Sequence, residues 1–191
     1  RPGAHGGGVG AAVNQRATLT TTGALFLDNR NAGVSVLDAD ARIELVSSVV
    51  RGTRAGLGGM RGHGLSALLG ATLRATDTLV ADNDQAGVYA ADEGTQVELT
   101  SSVVRDTRPI GENAPASGLA AENGATLRAN RVLVWRNANV GVGATGEGSR
   151  AELVASVIRE TRPRANGEAG VGMAAEAGAT LRAERVLVEG S

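Results

Sequence analysis

The groups in this chain that could do chemistry are arginines and a few carboxylates. Arg51, Arg105 and Arg159 each stand three residues before Arg54, Arg108 and Arg162, and both series step by 54 residues. A planar guanidinium fork matches carboxylates and other oxyanions. Three stacked pairs beside a loop could therefore clasp an anionic glycan or another carboxylate ligand. The plainer alternative is local pairing with Asp106, Glu160, Glu112 and Glu168, together with capping of loop carbonyls. Asp82 and Asp84 flank Asn83, and the copies one repeat away carry Asp28 with Arg30 and Arg136 with Ala138. Paired carboxylates can hold Ca²⁺ or share general acid and base work, but isolated pairs at turns commonly form the turn itself. Asp38 and Asp40 read in the same way. His5 and His63 fall in Gly-rich loops, at non-equivalent positions and without metal-ligand spacing. Gly6-Gly7-Gly8 and Gly58-Gly59 lack the strand-to-helix context of a phosphate loop. The residues expected to bind are thus Arg51, Arg54, Arg105, Arg108, Arg159 and Arg162, with no catalytic, metal or cofactor residue assigned.

What positions these groups is a repeat. GATLRA recurs at Gly70, Gly124 and Gly178, with a worn copy at Ala17-Thr18-Leu19. Between these copies run Arg42-Ile43-Glu44-Leu45, Gln96-Val97-Glu98-Leu99 and Arg150-Ala151-Glu152-Leu153, and both series again step by 54. A fixed period of this size means stacked units that bury a core only against each other. Inside each unit the pattern occurs twice, at offsets of 24 and 30 residues. Seven coils follow, led by Leu19, Ile43, Leu73, Val97, Leu127, Ala151 and Leu181.

Within a coil, apolar and polar residues alternate at the strand period. Asp40, Gly94 and Gly148 in one coil type, and Gly70, Gly124 and Gly178 in the other, punctuate the stretches where the chain must turn at positive φ. A second glycine series, Gly10, Gly33, Gly64, Gly87, Gly118, Gly141 and Gly172, opens another short strand. Three short strands per coil describe a parallel β-solenoid, with coils about 4.8 Å apart. The segments Leu79-Val80-Ala81-Asp82-Asn83-Asp84-Gln85-Ala86-Gly87-Val88 and Leu133-Val134-Trp135-Arg136-Asn137-Ala138-Asn139-Val140-Gly141-Val142 resemble the right-handed parallel β-helix repeat. That fold is shared by pectate lyases, polygalacturonases, alginate epimerases and many surface proteins. The resemblance covers nearly the whole chain and implies an all-β, right-handed parallel β-helix. It says little about function, since one fold hosts many activities.

Stacking turns equivalent positions into columns. The coil leaders form one inward aliphatic column, and Phe26, Val50, Val80, Val104, Val134, Ile158 and Val188 form another. Asn29, Asn83 and Asn137 alternate with Thr53, Thr107 and Thr161 at a tight turn, where such side chains satisfy backbone groups. Just after the leaders, Thr20, Glu44, Arg74, Glu98, Arg128, Glu152 and Arg182 alternate in charge, which favours one register. Leu25, Val49, Leu79, Val103, Leu133, Val157 and Leu187 adjoin an inward column. Either the backbone bends there, the favoured reading, or an aliphatic stripe lies outside. Loops 54–63, 108–117 and 162–171 project from one edge, where solenoids commonly bind. A flat Thr face for ice is excluded, because Arg42, Gln96 and Arg150 interrupt Thr18, Thr72, Thr126 and Thr180.

Composition narrows the function classes. The 191 residues include 42% hydrophobic side chains but one Trp, one Tyr and one Phe, so the core is narrow and aliphatic. All 19 basic residues are Arg, which fits a GC-rich genome. A net charge of -1 and the scarcity of aromatics argue against nucleic acid. No apolar run is long enough to span a membrane, and there is no Cys. The chain opens and closes inside repeats, so residues 1–191 read as one β-helix domain cut from a longer array. The expected role is a non-catalytic, extracellular or cell-surface bacterial module serving as spacer, adhesion or recognition element. Its partner would be an anionic polysaccharide or a surface protein, with end-to-end or lateral self-association a further route. The alternatives are a polysaccharide-binding or polysaccharide-active domain and a self-assembling structural module.

Overall fold

The computed structural model describes residues 8–56, 61–111, 114–163, 167 and 170–191. His5, Glu112 and Glu168 lie outside the described residues. Three parallel seven-stranded sheets run the length of the molecule. The first holds β1 (Val9–Val13), β4 (Ala32–Leu37), β7 (His63–Leu68), β10 (Ala86–Ala91), β13 (Ser117–Glu122), β16 (Val140–Thr145) and β19 (Val171–Glu176). The second holds β2 (Thr18–Thr22), β5 (Arg42–Val46), β8 (Thr72–Thr76), β11 (Gln96–Thr100), β14 (Thr126–Asn130), β17 (Arg150–Val154) and β20 (Thr180–Glu184). The third holds β3 (Leu25–Leu27), β6 (Val49–Arg51), β9 (Leu79–Ala81), β12 (Val103–Arg105), β15 (Leu133–Trp135), β18 (Val157–Arg159) and β21 (Leu187–Glu189). Each coil takes one strand from each sheet, and seven coils stack into a parallel β-helix. The coil leaders pair in register, Leu19 on Ile43, Ile43 on Leu73 and onward to Ala151 on Leu181.

Sharp corners let such short strands enclose a core. Between the first and second sheets, alternate coils use two turn forms. Leu69-Gly70 and Asn123-Gly124 place two successive residues at positive φ, whereas Asp92-Glu93-Gly94 and Asp38-Ala39-Asp40 place the first and third there. The Asp carboxylates stitch the corner to the coil before: Asp92 Oδ2 accepts from Leu69 N–H, and Asp38 Oδ2 from Gln15 N–H, both at 3.2 Å. The third sheet lies between positive-φ residues on both sides, such as Ser47 and Gly52, or Ser101 and Asp106. Just inside that corner, Ser102 Oγ accepts from Thr78 N–H at 3.1 Å and donates to Thr100 O at 2.8 Å. Ser48 and Ser156 repeat the arrangement.

The core is one aliphatic column. Val34, Val36, Ile43, Leu45 and Val50 fill one coil, and equivalent residues fill the next. Each such burial is worth about 1.5–3 kcal/mol before the chain entropy is set against it. In the Asn and Thr column, Asn83 and Asn137 satisfy backbone groups as expected, whereas the Thr53 and Thr107 hydroxyls are buried without a hydrogen-bond partner among the described residues. Asn137 Oδ1 accepts from Thr107 N–H at 3.0 Å, and Asn137 Nδ2 donates to Val104 O at 3.0 Å. The second glycine series is required by space, not by φ. A Cβ at Gly87 would come within 2.4 Å of Val104 Cγ1 and 2.7 Å of Gly118 O.

Two expectations change. The aliphatic residues beginning at Leu25 do not turn inward. In β6, Val50 is buried while Val49 and Arg51 face out, so Val49, Leu79, Val103, Leu133 and Val157 form a half-buried outer stripe. The bend falls two residues earlier, at Ser47 and its equivalents. His63 is not a loop residue. It opens β7, is 5% exposed, and pairs in register with Ala32.

Candidate functional site: an arginine edge and a cleft on the first sheet

The third sheet and the turn after it carry the expected arginines. Arg51, Arg105 and Arg159 end β6, β12 and β18, while Arg54, Arg108 and Arg162 form bridges with Arg30, Asp84 and Ala138. The structure gathers most of them around two aspartates. Asp82 Oδ1 lies 2.9 Å from Arg108 Nη2, and its Oδ2 lies 3.7 Å from Arg54 Nη2 and 3.8 Å from Arg51 Nε. The Asp82 carbonyl also accepts from Arg54, and from Arg108 at 3.5 Å. Asp106 Oδ1 lies 3.1 Å from Arg162 Nη2 and 3.4 Å from Arg136 Nε, and Arg105 donates to its other oxygen. Arg159 stays outside these knots, with its guanidinium 5.2 Å from the Trp135 ring centre and Arg136 at 5.0 Å. Asp84 accepts from Ala55 N–H at 3.0 Å and faces Arg54 at 3.7 Å.

The electrostatics follow from these distances. Three guanidinium groups around one carboxylate leave a surplus of positive charge, but each lies within 4 Å of that carboxylate. The partners come from different coils: Asp82 joins the second, third and fourth, and Asp106 the fourth, fifth and sixth. An exposed ion pair is worth at most about 1 kcal/mol, though a network with fixed geometry does better. The second sheet has its own pairs, Arg74 Nε to Glu98 Oε2 at 2.9 Å and Arg128 Nε to Glu152 Oε2 at 3.0 Å. The alternating column is therefore a register device, linking the two coils inside each repeat.

The sequence reading missed a second place. On the outer face of the first sheet, a cleft of about 620 Å³ is lined by residues that include Arg61, His63, Gln85, Tyr89, Asp92, Pro115 and Glu122. His63 and Tyr89 stack with ring centres 4.4 Å apart. Tyr89 Oη donates to Glu122 Oε2 at 2.9 Å. Burial, then the nearby Arg61 charge, hold the His63 imidazole down to about 4, against a smaller opposite pull from Gln85. The ring is thus neutral at physiological pH. Burial and the Glu122 carboxylate raise the Tyr89 phenol far above its ordinary value, so it remains a donor.

A signal for this cleft was present in the columns. The His63 column otherwise holds Val9, Ala32, Ala86, Ser117, Val140 and Val171, and the Tyr89 column holds Ala12, Ser35, Ser66, Ala120, Gly143 and Ala174. Two adjacent coils replace small residues with large polar rings, once each. Among the described residues, no group of three or more His, Cys, Asp or Glu side chains is placed to hold a metal ion. Comparison with protein-family models, curated proteins and solved structures finds no match.

Proposed function

We propose that this chain is a non-catalytic parallel β-helix module of a secreted or cell-surface bacterial protein, a stiff spacer that also carries a recognition surface. The observation that carries this reading is the pair of aspartate-centred arginine knots. Charged groups along the edge are engaged with one another and bind successive coils together. Asp82 and Asp84, the carboxylates that an acid–base mechanism would draw on, are held by Arg51, Arg54, Arg108 and the Ala55 amide. A polyanion arriving here would have to displace these partners.

The test is incubation with uronate-containing and neutral polysaccharides, alongside Arg108→Ala and Arg162→Ala. The expected outcome is no new reducing or unsaturated ends, a lowered melting temperature in both variants, and unchanged polysaccharide retention. Turnover by the unaltered chain would overturn the non-catalytic reading. Loss of uronate retention in Arg108→Ala, with melting unchanged, would make the edge a binding site resembling those expected of polysaccharide-active β-helices.

A further inference from the structure

We infer that the cleft on the first sheet is a binding site for a neutral sugar, with His63, Gln85, Tyr89 and Glu122 as its polar contacts. This rests on the recognition half of the function proposed above and gives it a place and a ligand class.

Two residues that line this cleft carry a buried polar atom without a hydrogen-bond partner among the described residues: His63 at Nδ1 and Gln85 at Oε1. Leaving such an atom dry and unpaired costs about 1–3 kcal/mol, and the weak pull of the Gln85 side chain on the imidazole does not give either atom a well-formed hydrogen bond. His63 is only 5% exposed, and its ring stacks on that of Tyr89. A pocket of about 50 Å³ shares His63, Gln85, Tyr89, Pro115 and Glu122 with the cleft. His63 and Gln85 line both this small pocket and the open cleft.

The chemistry of the lining selects the ligand. With His63 neutral, the charges are Arg61 against Asp92 and Glu122, a net of -1. That balance disfavours a carboxylate or sulfate, and Arg61 disfavours an ammonium. The unpaired pair combines an amide oxygen that only accepts and an imidazole nitrogen whose role depends on tautomer. A ligand that donates and accepts at the same atoms fits this set, which describes the hydroxyl groups of a sugar. Leu37, Leu68, Leu69 and Pro115 supply apolar contact for the C–H face of the ring. The repeat itself offers no structural reason for the departure, because Ser117 stands where the repeat before carries His63, and Ser35 where the repeat after carries Tyr89.

The test uses calorimetry and imidazole NMR on the whole chain. Probes are cellohexaose, xylohexaose and mannohexaose, the matching monosaccharides, and hexagalacturonate. The variants are His63→Ser and Tyr89→Ser, which restore residues of neighbouring repeats, with Arg108→Ala as a control on the edge. The expected result is that a neutral saccharide binds, shifts the buried imidazole resonance of the unaltered chain, and is weakened at least about tenfold by Tyr89→Ser, a change of about 1.4 kcal/mol. Arg108→Ala binds it unchanged. A hexamer binding no better than its monosaccharide identifies a site for a free sugar, and a tighter hexamer a site for a chain. Neutral saccharide binding that leaves the imidazole unshifted and survives both serine variants overturns the cleft while leaving recognition standing. A preference for hexagalacturonate that is lost in Arg108→Ala moves recognition to the edge and overturns the cleft. No saccharide binding at all overturns both this inference and the recognition half of the proposed function, leaving the spacer.

Discussion

Folding places the His63 imidazole where protonation is costly. Burial and Arg61 keep its folded value near 4, against 6.5 in an unfolded chain, while Gln85, Tyr89 and Glu122 complete its surroundings. Between those two pH values the unfolded chain binds the extra proton and the folded chain does not. The stability tied to this group is therefore fully present above about pH 6.5 and is lost as the pH falls towards 4, by on the order of 3 kcal/mol. Urea unfolding of the unaltered chain and of His63→Ser, measured from about pH 7 to pH 4, should show the unaltered chain losing more stability by that order. Parallel pH profiles for the two proteins would sink the argument. Salt-bridged carboxylates contribute to both profiles alike, so the difference isolates the imidazole.

At the scale of the strand and its corners, the second glycine series sets how closely the first and third sheets approach. Gly87→Ala puts a methyl against Val104 and the Gly118 carbonyl, and the carbonyl belongs to a hydrogen-bonded strand that cannot yield cheaply. The expected loss is about 3 kcal/mol, read from the midpoint of thermal or urea unfolding. A variant as stable as the parent would mean the coil can widen there. Much at this scale was legible beforehand. The 54-residue period, the turn residues and the columns fix seven coils, three strands per coil and an inward aliphatic core, because position repeats on position. The sequence places Val80 inward but does not orient the adjacent Leu79, since both are apolar and the bend that decides it falls at Asp77. The sequence reading assigns His63 to the Gly-rich loop although Gly64, beside it, belongs to the series expected to open a strand and is required for lack of room beside Val80 and Asn83. The cleft depends on Arg61 and Pro115, which lie outside the repeating strands and line it, and no column records that.

At the scale of the whole molecule, the sheet pairings among the described residues never skip a coil. Strands pair only with their counterparts in adjacent coils, so stability passes along the axis as a chain of nearest-neighbour terms. Leu25 and Leu187, in the first and seventh coils, are 67% and 52% exposed, whereas their columns are half-buried between. Amide hydrogen exchange of this chain should therefore be graded, slowest in β10 to β14 and fastest in β1 to β3 and β19 to β21. Equal protection in every coil would instead mean a single all-or-none unit. The two Asp-centred knots, which reach across three coils each, are the exceptions that oppose such fraying in the middle of the rod.

The alternation within each repeat also bears on how genes for such arrays change length. Losing the single coil that carries Glu98 would set Arg74 directly against Arg128 and Asn83 against Asn137. Losing two coils restores acid over base and Thr over Asn at every step. Recombination between misaligned copies thus yields a foldable product in steps of 54 residues, adding or removing about 10 Å of rod each time. Length is inherited here in two-coil quanta.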